Sequence, residues 1–373
     1  MKKILVIALS TFCLMFTAYG HAEITFQGFA SFVGGTTLDS DETYVGYENK
    51  LEYDKNSLFG LQVSSNMGEG LTVTGQLIAR GNENYQPEFE WMYLSYNVTP
   101  TLNAKMGRIR TPFYMFSEYL EVGYTYPWIR PPVELYAAQV TNMDGLSFLY
   151  DMPIGKMDTQ YMIVIGNRDT FSNDPTATVS DYKPLVGINA QFEYEAYTTK
   201  LIYTQGDISF ESTAIDGTVA LFNTDTAFRD KYVAVKDSTV VFAGAALNMD
   251  FYPFSVLLEF SSIDFDDLIL AADETRTLAS VTYNFEPCAV TYSLSGNQKE
   301  SDSALANKAT GAVLQGTAAA ILTSTDRDVM THTLGYRHDF HDSAAFKVEL
   351  ISTEDSDLKT EATLVRFAVD MIF

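Results

Sequence analysis

The last nine residues of the chain alternate. Val365, Phe367, Val369, Met371 and Phe373 fall on one face of an extended backbone, with Arg366 and Asp370 on the other. Successive side chains of a strand point to opposite faces, so such a ribbon has one apolar side and one polar side. The pattern recurs. Val186, Ile188, Ala190, Phe192 and Tyr194 oppose Gly187, Asn189, Gln191, Glu193 and Glu195. Phe254, Val256, Leu258 and Phe260 oppose Ser255, Glu259 and Ser261, and Ala279, Val281, Tyr283 and Phe285 oppose Ser280, Thr282 and Asn284. A two-faced ribbon suits a soluble sandwich, or a closed barrel with lipid outside and water within.

Connector lengths separate the two. Short links fall at Asn66–Gly70, Val98–Thr101, Pro153–Met157, Tyr252-Pro253, Glu286-Pro287 and His341–Ser343. Long links fall near 35–56, 82–87, 111–143, 169–183, 209–238, 264–275, 298–328 and 354–361. Short and long links alternate along the chain, as in a barrel with tight periplasmic turns and long external loops. The expected fold is all-β, a transmembrane antiparallel β-barrel of about sixteen strands, wide enough to enclose water. Residues 239–250 alternate poorly, and 44–53 either extend the first hairpin or belong to its loop.

After the N-terminus no segment has the eighteen or so consecutive apolar residues of a membrane helix, which leaves a closed barrel as the way to span. Lys2 and Lys3, the apolar run Ile4–Phe16 and the small residues around Gly20-His21-Ala22 read as a secretory signal over 1–22. Residues 23–373 then form one domain. Phe12 before Cys13 argues against a lipoprotein, and Cys288 alone cannot form an internal disulfide. The net charge of −24 argues against nucleic acid as a partner.

One segment breaks the pattern. "RIRTPFYMFSEYLEVGYTYPWIRPPVELY", residues 108–136, fits neither a period of 2 nor one of 3.6. Tyr114, Phe116, Tyr119, Tyr124, Tyr126, Trp128 and Tyr136 can bury area, while Pro127, Pro131 and Pro132 stiffen the backbone. Long loops of this make are functional, and this one suits folding inward against the wall. The alternative is an external loop packed on its neighbours or on a partner subunit.

The chain resembles the trimeric, sixteen-stranded general porins of Gram-negative outer membranes. The likeness lies in the whole pattern, in "FGLQVSSNMGEGLTVTGQL" at 59–77, in "LNAKMGRIRTPF" at 102–113, and in the terminal Phe373. It implies a third loop folded into the bore, an outer-membrane location and a homotrimer, with the terminal aromatic read by the assembly machinery. The chain departs from that family where a short Pro-Glu-Phe-Gly type of signature is common in the loop; "SEYLEVGYTYPWIRPP" stands there instead.

Face and height select the charges of a constriction. Glu118, Glu121, Arg130 and Glu134 sit on the loop. Lys105 and Arg366 face inward about five residues from a periplasmic turn, near mid-membrane, and Arg80 faces inward but higher. Arg108 and Arg110 share the outward face of Met106 unless Gly107 bulges or the strand has ended. Acids across a gap from bases create a transverse field that aligns dipolar solutes. The overall acidity tilts toward cation preference, although selectivity is set at the constriction. Acids in external links, such as Asp264, Asp266 and Asp267, belong to a solvated surface or gather divalent cations with lipopolysaccharide.

"RHDFHD" at 337–342 sits where a strand meets a tight turn, and reads as turn polarity rather than a metal site. No Gly-x-Ser-x-Gly elbow or phosphate-cradling glycine loop is present, and no cofactor is called for. The expected function is passive diffusion of small hydrophilic solutes and ions. The alternatives are a channel specific for sugars or aromatic solutes, and a barrel that anchors an enzyme or adhesin.

Overall fold

The computed structural model describes residues 23–40, 42–137, 140–169 and 179–373. The signal assigned to 1–22 and most of the link at 169–183 lie outside these residues. Among them the chain forms sixteen strands. The first eight are β1 (Glu23–Thr37), β2 (Leu58–Gly68), β3 (Leu71–Arg80), β4 (Pro87–Thr99), β5 (Leu102–Arg110), β6 (Asn142–Asp151), β7 (Asp158–Asp169) and β8 (Val179–Tyr194). The rest are β9 (Tyr197–Glu211), β10 (Ser238–Phe251), β11 (Phe254–Phe265), β12 (Asp273–Phe285), β13 (Cys288–Glu300), β14 (Arg327–His341), β15 (Ala344–Asp355) and β16 (Thr360–Ile372). Each pairs antiparallel with its sequence neighbours, and β1 pairs with β16, so the sheet closes and no edge is left.

The alternation becomes the two faces of this cylinder. Phe254, Leu258, Phe260, Ile163, Ile188 and Leu334 are about half exposed and form an outer apolar belt. Their neighbours Glu259, Ser261, Asn189 and Thr333 are buried on the inner face. Short links gather at one end. At Glu69-Gly70 both central residues take positive φ, the twist that matches a two-residue hairpin. The turn at 195–196, which carries no turn signal beyond its charge, joins β8 to β9 there.

Two segments that the sequence left weak or open take definite forms. Residues 239–250 belong to a full strand despite "AGAALN", because pairing with β9 and β11 on both sides fixes the backbone. Residues 44–53 are not a strand: they form isolated bridges, and Tyr47 is fully buried against Ile351 and Leu364 of the inner wall. At the long-link end the helices Thr213–Ala220 and Ala312–Thr325 share a small core that includes Phe222, Phe228, Ile269, Leu305 and Leu322. Asp267 there pairs with Lys308 at 3.1 Å.

Leu258→Arg, at the middle of the belt, is expected to destabilise the barrel by about 2–4 kcal/mol in lipid vesicles. Asn248→Arg, on the inner face of β10, is expected to cost far less. Urea unfolding of both variants in vesicles checks the assignment of faces.

Candidate functional site

The segment after β5 leaves the sheet at Thr111 and rejoins it at Asn142. Between them, among the described residues, the backbone takes only short helical turns, at Ser117–Tyr119, Gly123–Thr125 and Val133–Tyr136. A buried irregular backbone has carbonyls and amides with no ladder partner, and these must be satisfied elsewhere. Here the inner wall supplies the partners, with ionised side chains.

Lys200 on β9 donates to the carbonyl of Tyr114 at 3.0 Å. Arg276 on β12 donates to the carbonyls of Leu135 (3.2 Å) and Ala137 (2.9 Å). Arg337 on β14 reaches those of Tyr124 (2.7 Å) and Tyr126 (2.8 Å). Lys347 on β15 reaches those of Gly123 (2.6 Å) and Trp128 (2.7 Å). Wall carboxylates take the amides: Glu259 on β11 accepts from Met115 N at 2.8 Å, and Glu349 on β15 from Ile129 N at 2.6 Å. Each such bond to a charged group contributes about 1.5–3 kcal/mol.

Apolar packing completes the seat. Tyr114, Tyr126, Trp128, Leu135 and Tyr136 are buried with Ile202, Phe242, Leu257 and Leu278 of β9 to β12. Trp128 donates its indole N–H to Ser293 Oγ at 2.8 Å, and Tyr136 its hydroxyl to Glu259 at 2.6 Å. Burial pushes the Tyr114 hydroxyl up to about 12, so it stays protonated at any working pH. Burial first, then the nearby Glu134 carboxylate, also raises Tyr44, which donates to Glu134 Oε1 at 2.5 Å.

The predicted charges separate into three pairs of like setting, with Arg130 apart. Arg80 and Glu121 meet at 2.7 Å, and Arg80 also pairs with Glu90 (2.6 Å) and Glu88 (2.5 Å). Lys105 and Glu118 line one chamber of about 210 Å³ with Gln62, Trp91 and Tyr93, and neither makes an ion pair among the described residues. Arg366 and Glu134 are buried and committed. Arg366 bonds Glu349 (2.7 Å) and Asn56 Oδ1 (3.0 Å), while Glu134 accepts from Tyr44, Ser295 (2.9 Å) and Thr331 (2.7 Å). Among the described residues, Arg130 bonds the carbonyls of Ile129 and Asn56, each at 3.0 Å.

Sequence reasoning passed over Lys200, Arg276, Lys347 and Glu90. The first three obey the parity rule that selected Lys105: each is a charge flanked by outward-facing residues. Glu90 does not. The register shifts between Gln76 and Leu77 on β3, so β4 carries an extra residue, and Glu90 and Trp91 are both buried. Arg110 reaches Glu90 for this reason, and also bonds the carbonyl of Ser117 at 2.6 Å. The bulge therefore lies in β4 and not at Gly107, which keeps its register at φ +130° where a Cβ would strike the Met92 carbonyl. Arg108 stays on the outward face and pairs with Asp144 at 3.0 Å.

A closed, sixteen-stranded antiparallel cylinder with an apolar outside and a charged inside has counterparts among solved structures. The outer membrane channel DcaP of Acinetobacter baumannii superposes with a TM-score of 0.61 at 13% identity, covering 94% of this chain and 97% of that one. An anion-selective porin from Comamonas acidovorans gives 0.59 at 13%, over 95% and 100%. Salmonella typhi OmpF, in a complex with daunomycin, gives 0.60 at 11%, over 94% and 98%. This is the porin fold. Neither a protein-family model nor a curated protein sequence matches the chain. In its version of the porin fold, charges on β9, β11, β12, β14 and β15 are bonded to the segment after β5.

Lys347 is wholly buried and also pairs with Asp370 at 2.8 Å. Lys347→Met strips two loop carbonyls of their donor and leaves the Asp370 carboxylate without its cation, with an expected loss of about 3–5 kcal/mol. Adding Asp370→Asn is expected to restore part of that loss. Denaturant unfolding of the single and double variants in lipid measures both.

Proposed function

We propose that the chain forms a water-filled channel in the outer membrane for passive diffusion of small hydrophilic solutes and ions. In this reading residues 111–143 lie across the bore and narrow it. The observation that carries it is the bonding of this segment to inner-face side chains on β9, β11, β12, β13, β14 and β15. A segment tied to that many strands of one cylinder has to cross the space they enclose. Space for water remains toward β2 to β6, where Glu118 and Glu121 lie near Lys105, Arg80 and Arg110, and toward β10 to β14, where a chamber of about 430 Å³ is lined by Trp128, Asp250, Glu286 and Arg337 among others.

The same reading surrounds the barrel with lipid and lipopolysaccharide and makes a homotrimer its working form, following the porin resemblance. No catalytic group is assigned. A sugar-specific channel with a stacking path along the loop draws less support: Tyr114, Tyr126, Trp128 and Tyr136 are packed into the loop–wall core.

Replacement of residues 114–136 by a short Gly-Ser link is expected to raise single-channel conductance in planar bilayers several-fold. Conductance equal to that of the parent would place the segment outside the permeation path.

A further inference from the structure

Charges of both signs line the chambers of the barrel. The outer one toward β2 to β6, about 360 Å³, has Lys55, Arg80, Arg130 and Glu121 in its lining. The inner one, about 210 Å³, has Lys105, Arg110 and Glu118. A third, about 430 Å³, lies at the short-link end of β10 to β14, with Asp250, Glu286, Asp339 and Arg337. A fourth, about 270 Å³, lies at the long-link end of β9 to β14, with Glu274, Lys299 and Arg327. By lining alone, eight bases face six acids in these four chambers.

Ion-pair partners reverse the balance. Arg80 has Glu83 at 4.0 Å, Glu88 at 2.5 Å, Glu90 at 2.6 Å and Glu121 at 2.7 Å, and Arg110 shares Glu90. Four carboxylates thus answer two guanidiniums between the outer and inner chambers. Lys55 has Glu52 at 3.4 Å and Asp54 at 3.8 Å, and Glu52 leads on to Lys50 and Glu48. Arg327 has Asp355 at 3.8 Å, Arg337 has Asp339 at 2.8 Å, and Glu274 joins Lys299 and Arg276. Arg130 has the Asp370 carboxylate beside it at Gly123, and Lys347 pairs with that carboxylate. Followed to their ends, the lining charges and their partners are eleven bases and fourteen acids.

A pair in contact presents little more than a dipole to an ion several ångströms away in water, so unanswered carboxylates set the field of the bore. Acidic linings favour cations, and basic linings favour anions. In the inner chamber Lys105 and Glu118, neither ion-paired among the described residues, offset each other. The acidic excess falls in two other stretches. Glu83 and Glu88 stand about half exposed beside Arg80, and Asp250 and Glu286 line a chamber whose one base, Arg337, is held by Asp339. Resting on the channel reading above, we propose that the pore passes small monovalent cations in preference to anions. These two acidic stretches create the preference, and Lys105 between them opposes it.

Reversal potentials in potassium chloride gradients across planar bilayers test this. The parent is expected to favour potassium over chloride. Asp250→Asn with Glu286→Gln, and separately Glu83→Gln with Glu88→Gln, are each expected to lower the cation-to-anion permeability ratio about two- to threefold. Asp250→Glu with Glu286→Asp, which keeps both charges, is expected to hold the ratio, and Lys105→Gln to raise it. The two neutralised pairs sit on different strands, so a fold disturbed by one change leaves the other to be read. A parent channel that favours chloride, or ratios unmoved by both neutralisations, overturns the inference while leaving the channel itself intact. A folded barrel that conducts nothing overturns both.

Discussion

A buried irregular backbone must have its carbonyls answered, and in this protein four wall cations answer them. Lys200, Arg276, Arg337 and Lys347 each end on loop carbonyls, with Glu259 and Glu349 doing the same for amides. Water would otherwise solvate these groups, and the loop would gain little by leaving it. Ionised partners held on strands shift that balance, because hydrogen bonds to charged groups are stronger than those between neutral ones. The aromatic residues then add apolar area, of order 150–250 Å² each, to a seat whose polar groups are satisfied.

The arrangement also changes what the inner charges are for. A base on the inner face of a channel suggests contact with solute, yet most of those here are consumed by structure. Arg366 is pinned between Glu349 and Asn56, and Lys347 is wholly buried. The first loop reinforces this, since Tyr44 closes onto Glu134 and Tyr47 packs over Ile351 and Leu364. In the proposed channel, selectivity would fall to the few charges that are not committed to the loop–wall bonding.

Much of the fold was legible because lipid imposes a strict rule. An outer face must be apolar at every second residue, so parity in Val186–Tyr194 or Phe254–Phe260 reports orientation directly, and link lengths report the two ends. Residues 239–250 alternate poorly because their inner face is apolar too, with Phe242 packed on Tyr114, and neighbouring strands set the geometry. The site was legible only in part. Parity places Lys105 and Arg80 on the inner face, but it carries no distance across the bore, so it cannot tell a free charge such as Lys105 from a committed one such as Arg366. The β4 bulge was invisible: "PEFEWMY" alternates as well with the extra residue as without it, and only the register against β3 puts Glu90 beside Arg80 and Arg110.

Reaction of single cysteines with a water-soluble thiol reagent in lipid bilayers, in a Cys288→Ala background, asks most directly whether the loop seals one side of the bore. Gln62→Cys lies in the inner chamber, and Ser293→Cys lies beneath the Trp128 indole. The account predicts rapid labelling with a fall in current at position 62, and little labelling at 293. Equal rates at the two positions would mean that water reaches both walls, and that the charged seat does not hold the loop in place.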